Sequence, residues 1–274
     1  VKKLVILAVL LLAACDATIP VENGPPIEVL FCEREDCAGL LVALLEDADD
    51  AKCAMYSVSL PAVKEALDRV EWITDDDRGA LMHNKFCVFD KNTVWTGSWN
   101  PTKTKQANNV VIIQSTVLAD NYLDEFDELP GGPWRVRRPQ LIYNNRLIEN
   151  YFCPEDDCKE HVLAQLSSAQ QSIRFMLSWV TDEDIIATLN ERRNDIDVQG
   201  VLDNGIKSAQ EQLPFTTIAD VHHKVFIIDG ETVITGSYNP TKAGNERNDE
   251  NILIIHDRSV AQQYLAEYDY VQQN

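Results

Sequence analysis

A chain of 274 residues is long enough for one large domain or two modest ones with buried cores. With 45% hydrophobic and 25% charged residues it is neither disordered nor fibrous. Acidic residues outnumber basic ones 44 to 24, a formal charge of −20; a field of that sign disfavours unaided tight binding to duplex DNA, yet leaves room for a small local basic site.

In chain order, residues 1–15 have the features of an export signal. Lys2 and Lys3 form a basic n-region, and Leu4 to Ala14 is an apolar run too short to span a bilayer comfortably. Leu12-Ala13-Ala14-Cys15 resembles a prokaryotic lipobox. That resemblance implies lipidation of Cys15 and a protein anchored to the outer face of the cytoplasmic membrane or in the periplasm. A plain secretory signal is the alternative. Residues 16–26, with prolines near their end, are expected to be a tether.

The remainder is a duplication. Ile27-Glu28-x-x-Phe31-Cys32 recurs as Ile148-Glu149-x-x-Phe152-Cys153, and His83 to Lys103 aligns without gaps to His222 to Lys242 with 12 of 21 positions identical. Residues 27–128 form one repeat and 142–274 the other, joined by a linker over 129–141 that is rich in Pro and Gly and then basic. Apolar periodicity predicts helices over Leu40–Asp47, Ala62–Arg69, His161–Ala169 and Glu183–Arg192. It predicts strands over Ala54–Val58, Val70–Thr74, Ile173–Val180 and Asp197–Leu202. Alternating strands and helices argue an α/β fold of two similar lobes, each a mixed sheet flanked by helices.

Two β-rich runs in each repeat, Leu81–Phe89 with Thr93–Thr96 and Val221–Ile228 with Thr232–Thr235, form a hairpin. A two-residue turn would set Lys85 opposite Ser98 and His83 opposite Asn100, and Lys224 opposite Ser237 with His222 opposite Asn239. Strand alternation then brings His, Lys, Ser and Asn to one face. Asp90 and Asp229 have the opposite parity and sit at the turn, where bonding backbone amides is their simplest role. Lys and Asn suit the non-bridging oxygens of a phosphodiester, one imidazole can attack phosphorus, and a second can protonate the leaving alkoxide. Each repeat supplies one of each group, so two repeats across a pseudo-twofold complete one shared active site.

His83-x-Lys85-x4-Asp90 and His222-x-Lys224-x4-Asp229, each followed by G-S-x-N, resemble the signature of the phospholipase D superfamily, over nearly the whole chain beyond residue 15. The resemblance implies phospholipase D-like lobes and a two-step displacement through phosphohistidine, with no metal and no cofactor. It makes His83, His222, Lys85, Lys224, Asn100, Asn239, Asp90 and Asp229 the catalytic set, with Ser98 and Ser237 at the substrate. Asn248-Asp249-Glu250-Asn251 matches the family's carboxylate segment, and the first repeat has Asn108 where Glu250 stands. On this basis Glu250 is expected to back His222 as nucleophile, leaving His83 as general acid.

Cys32 and Cys37, and Cys153 and Cys158, are expected to close local disulfides, with a four-thiolate zinc site as the alternative. Cys53 and Cys87 are either buried apolar residues or a third bridge. His161 and His256 have no partner pattern, and His223 alternates away from the site. Trp99 and Tyr238 are expected in the core; Lys103, Lys105 and Lys242 are candidates for a cationic cleft. The substrate is expected to be a phospholipid, with nucleic acid as the alternative and a silent binding module third. With both motifs in one chain, the protein need not dimerise.

Overall fold

The computed structural model describes residues 18–75 and 79–273. The export signal, Cys15 and the start of the tether lie outside the described residues. No described helix is long and apolar enough to cross a membrane.

The chain opens with β1 (Val21–Glu22) and continues into the first lobe. That lobe runs β2 (Glu28–Phe31), α1 (Cys37–Asp47), β3 (Ala51–Met55), α2 (Pro61–Leu67), β4 (Glu71–Ile73), β5 (Lys85–Phe89), β6 (Thr93–Gly97), β7 (Asn109–Gln114) and α3 (Thr116–Glu128). After β8 (Gln140–Tyr143), the second lobe repeats the plan. It runs β9 (Arg146–Cys153), α4 (Cys158–Ser168), β10 (Ser172–Leu177), α5 (Glu183–Arg192), β11 (Asp197–Asp203), α6 (Lys207–Gln212), β12 (Thr216–Ala219), β13 (Lys224–Ile228), β14 (Thr232–Gly236), α7 (Lys242–Glu246), β15 (Glu250–Ile255) and α8 (Arg258–Gln273).

Strand order makes the duplication explicit. The first sheet is β2-β7-β6-β5-β3-β4, and the second contains β9-β15-β14-β13-β10-β11 in the corresponding order. The second gains β12 at one edge and β8 and β1 at the other. Within the six strands that correspond, only β3–β4 and β10–β11 are parallel pairs, and the added β12 and β1 also pair in parallel, so both sheets are mixed. A shared apolar core draws Phe86 and Tyr122 from the first lobe and Phe152, Val225 and Tyr264 from the second. Separate cores lie behind each sheet, against α1 and α2 in one lobe and α4 and α5 in the other. The sheets therefore face one another with α3 and α8 packed beside the seam, and β5 and β13 are the central strands on either side.

Two expectations are corrected. Both hairpins pair one position differently, Phe89 with Thr93 and Ile228 with Thr232. Three-residue loops accommodate this, with Asp90, Lys91, Asp229 and Gly230 at positive φ. Asp tolerates that backbone because its short polar side chain bonds locally. The Lys85–Ser98 and His83–Asn100 oppositions consequently do not form. The tether also does not stay loose: Val21 and Glu22 pair in parallel with Ile142 and Tyr143. Glu22 accepts bonds from the Thr116 and Val117 amides at the start of α3, where the helix dipole favours a carboxylate. The linker arginines pair with acidic neighbours, Arg135 with Asp157, Arg137 with Asp124 and Arg138 with Asp120.

All six described cysteines are oxidised, as Cys32–Cys37, Cys153–Cys158 and Cys53–Cys87. The zinc alternative is thereby overturned, because a thiolate spent in a disulfide cannot ligate a metal. Cys53 and Cys87 face each other on neighbouring antiparallel strands at the heart of the first sheet. Their bridge spans 34 residues, and replacing both by Ala is expected to cost about 3–4 kcal/mol by loop entropy, measurable by guanidinium unfolding.

Candidate active site

Each motif histidine lies just before its central strand, in a short segment that binds the opposite lobe. The His83 N–H donates to Asp249 O at 2.9 Å and the Asp249 N–H to Leu81 O at 2.8 Å. On the other side, the His222 N–H donates to Ala107 O at 2.8 Å and the Ala107 N–H to Asp220 O at 3.1 Å. These two parallel bridges cross the seam, so the residue after each bridge faces the histidine of the other repeat. Those residues are Glu250 and Asn108.

The side chains follow that crossing. His83 Nδ1 lies 2.8 Å from Glu250 Oε2. His222 Nδ1 lies 2.9 Å from Asn108 Oδ1 and 3.0 Å from Ser98 O. Asn108 is oriented by its own Nδ2 donating to Gln106 O at 3.0 Å, so His222 meets two acceptors and carries its proton on Nδ1. The expectation that Glu250 backs His222 is corrected: the seam bonds carry each repeat's carboxylate position across to the other repeat's histidine.

Both lysines are buried, with 1% and 3% of their surfaces exposed. Lys85 Nζ donates to His83 O at 2.5 Å. Lys224 Nζ donates to Ser178 Oγ at 2.6 Å and His222 O at 2.7 Å. Among the described residues neither lysine forms an ion pair, and two unpaired buried ammonium groups beside two imidazoles make a ready site for an anion. Asn239 Oδ1 accepts from Ser178 Oγ at 3.1 Å. The matching Asn100 Oδ1 is buried without a partner.

Four motif residues do not join this group. Ser98 and Ser237 are fully buried and accept from the Asn109 and Asn251 amides. Their hydroxyls are spent on holding β7 and β15, which excludes direct substrate contact. Gly97 and Gly236 permit the close approach, since a Cβ at either would sit 2.3 or 2.2 Å from the carbonyl of Asn109 or Asn251. Asp90 accepts from the amides of Asp49 and Asp50, and Asp229 from those of Gln170, Gln171 and Ser172. They brace the hairpin turns at the far ends of the central strands and carry no chemistry at the pocket.

A second layer escaped the sequence reading. Asn251 donates to Asn84, which donates to Glu125 on α3. The pseudo-twofold mate joins Asn109 to His223 at 3.0 Å and His223 to Glu267 on α8 at 3.2 Å. Tyr122 and Tyr264 bond Asn251 and Asn109 in turn. The available signal was Tyr122-Leu123-x-Glu125 repeated as Tyr264-Leu265-x-Glu267. Other residues fall outside the pocket. His161 stacks on Tyr151 and His256 bonds Glu149. Trp99 and Tyr238 are buried, and Lys103, Lys105 and Lys242 are exposed beyond it.

Electrostatics set the resting protonation. Burial, reinforced by the lysines, holds both His83 and His222 well below the usual imidazole range. Burial also lowers Lys85 to about 7, against the pull of Glu250, and raises Glu250 to about 8, against the pull of Lys85. Lys85 is therefore cationic at acid pH and loses its charge as pH rises through about 7. The expected consequence is an alkaline limb in phosphodiester affinity, read as a rise in KM, near that pH. In kcat the limb should lie higher, because a bound phosphodiester stabilises the ammonium. Initial rates across pH 5.5–9 check this.

Paired histidines and lysines at the seam of a duplicated α/β fold define a phosphodiesterase of the phospholipase D type. The chain belongs to the family described as cardiolipin synthase, PLD-like domain, whose profile matches residues 21–130 and again 162–271. It is 30% identical to a phospholipase D of Rickettsia typhi over 144 residues, 47% of this chain and 69% of that protein. It is also 30% identical to the mitochondrial cardiolipin hydrolase of Xenopus laevis over 133 residues, 43% of this chain and 63% of that protein. In fold it resembles the phosphatidylserine synthase of Haemophilus influenzae, with a TM-score of 0.68 at 12% identity over 90% of this chain and 85% of that one.

Proposed function

We propose that this phosphodiesterase hydrolyses the headgroup phosphodiester of phospholipids to phosphatidic acid, with His83 as nucleophile and His222 as general acid. The observation that carries the division of labour is the Glu250–His83 contact, against the amide and carbonyl that meet His222. Once ionised, the Glu250 carboxyl on Nδ1 fixes the tautomer that presents Nε2 as a lone pair, and it stabilises the cation formed when that nitrogen is phosphorylated. Burial keeps it protonated up to about 8 in the empty pocket, so the nucleophilic form gains as pH rises towards that value. A histidine backed only by neutral oxygens is a stronger acid once protonated, which suits donation to a leaving alkoxide.

In the first step His83 Nε2 bonds to phosphorus as the headgroup oxygen departs with a proton from His222 Nε2. In the second, water gives that proton back to His222 and its oxygen attacks phosphorus, and the P–N bond breaks. Lys85 and Lys224 neutralise the non-bridging oxygens throughout. The anionic diester supplies the charge that favours protonated His222 over the neutral form of the empty pocket.

The phospholipid substrate is supported by the relatives' names and by the charge of −20, which suits a polynucleotide poorly. The basic and apolar run ending at Cys15 supports a lipid-anchored protein on the outer face of the cytoplasmic membrane, near its substrate. Both half-sites in one chain support action as a monomer. The test is phosphatidic acid release from mixed phospholipid vesicles in EDTA, with His83→Ala as control. Release that the variant lacks is expected. Cleavage of single-stranded DNA by a preparation that releases no phosphatidic acid would replace the lipid reading with a nuclease.

A further inference from the structure

The two half-sites share a backbone and differ at one position beside the lysines. Met55 pairs with Lys85 and Leu177 with Lys224, so Tyr56 and Ser178 occupy equivalent places just beyond β3 and β10. Their N–H groups confirm the equivalence, donating to Asn84 O at 3.0 Å and to His223 O at 2.9 Å. Ser178 bridges the Lys224 ammonium to Asn239 Oδ1 and so gives each a partner from within the protein. Tyr56 instead presents its ring, 4.7 Å from the His83 ring at 62° and 4.9 Å beneath Lys85 Nζ. Lys85 is left with one carbonyl acceptor, and Asn100 Oδ1 is left buried with none.

We infer that Tyr56 is a positioning residue of the reaction: its ring aligns His83 and leaves Lys85 and Asn100 with fewer partners from the protein than the Ser178 hydroxyl gives Lys224 and Asn239, and so open to the phosphodiester. Lys224 and Asn239 then form a preset wall, and Lys85 and Asn100 complete their bonding only when substrate arrives. A buried ammonium over an aromatic face gains less than it loses in water, so an anion gains most at Lys85. An unpartnered amide oxygen similarly favours a ligand that brings a hydroxyl donor, such as the leaving alcohol or the incoming water. This inference rests on the phosphodiesterase reading for its role in turnover, but not for its binding consequence.

The experiment measures inorganic phosphate binding by calorimetry across pH 5.5–9.5 in wild type, Tyr56→Phe and Tyr56→Ser, beside turnover of bis(p-nitrophenyl) phosphate. Serine at position 56 would give Lys85 and Asn100 the hydroxyl that their counterparts have. At pH 5.5, where Lys85 is charged in both proteins, Tyr56→Ser is expected to bind phosphate several-fold more weakly than wild type, while the pH at which binding is half lost rises by about one unit because the hydroxyl stabilises the ammonium. kcat is expected to fall about tenfold or more as His83 loses its ring contact, while Tyr56→Phe keeps the wild-type binding midpoint. Superimposable binding curves for wild type and Tyr56→Ser would overturn the inference. Should the serine variant not fold, Tyr56→Leu tests the ring alone: losing the π face should move the midpoint down, and an unmoved midpoint would overturn the inference equally. Wild type that binds phosphate but turns over no diester, with the Tyr56→Ser midpoint still shifted, would sink the proposed reaction and leave Tyr56 its place in the anion site.

Discussion

His83→Ala protein is expected to form no covalent phosphoenzyme and to lose at least about 10⁴-fold in turnover, the scale seen when a nucleophile is deleted from a cooperating set. Its counterpart should fail differently. His222→Ala keeps a nucleophile backed by Glu250 but lacks the acid, so a leaving group that needs no proton, such as p-nitrophenolate, should still depart. That variant is expected to accumulate phosphoenzyme on His83, because the second step also lacks its base. Quenched reactions with ³²P-labelled substrate and peptide mapping of the acid-labile label decide it. Label on His222 in wild type would reverse the two roles.

Glu250→Gln is expected to lower kcat by about 10³–10⁴-fold, comparable to replacing the carboxylate that orients a catalytic imidazole elsewhere. The amide can still bond Nδ1 but cannot stabilise the imidazolium. Stability should move the opposite way. Burial raises the Glu250 carboxyl to about 8 in the folded chain, above its ordinary 4.5. The wild type therefore loses stability as pH climbs from about 4.5 to 8, since only the unfolded chain releases that proton freely. The glutamine variant lacks this loss and should unfold at equal or higher temperature at pH 8. A variant within tenfold of wild-type kcat would show that the 2.8 Å contact is not used in turnover.

The histidines, lysines and fold class were legible because they repeat within a single alignment and report local spacing. Helix α5 was also legible, from Glu183 to Arg192, since Asp182 caps it through the amides of Asp184 and Ile185. The hairpin register was not: two- and three-residue turns fit the same Asp-containing stretch, and the choice rests on left-handed backbone at Asp90 and Asp229. The histidine partners were invisible for a different reason. Asn108 aligns with Glu250 in sequence, yet each serves the histidine of the other repeat, and the Glu250–His83 contact spans 167 residues. Only the packing of one lobe on the other fixes such a pair. Ser98 and Ser237 were misjudged likewise, because strand parity gives a face but not what covers it.

The crossing at the seam bears on how such a site changes over time. In a dimer of identical single-repeat subunits, any substitution at the carboxylate position strikes both histidines together. Once the two copies share a chain, replacing a carboxylate by Asn108 alters the surroundings of His222 alone, and Glu250 continues to serve His83. Duplication thus turns a symmetric site, where either histidine can lead, into one with a division of labour that neither half records by itself. Separated halves would each carry one histidine beside its own copy's wrong partner, so paired again with themselves they would give two unlike sites, one with two carboxylates and one with none.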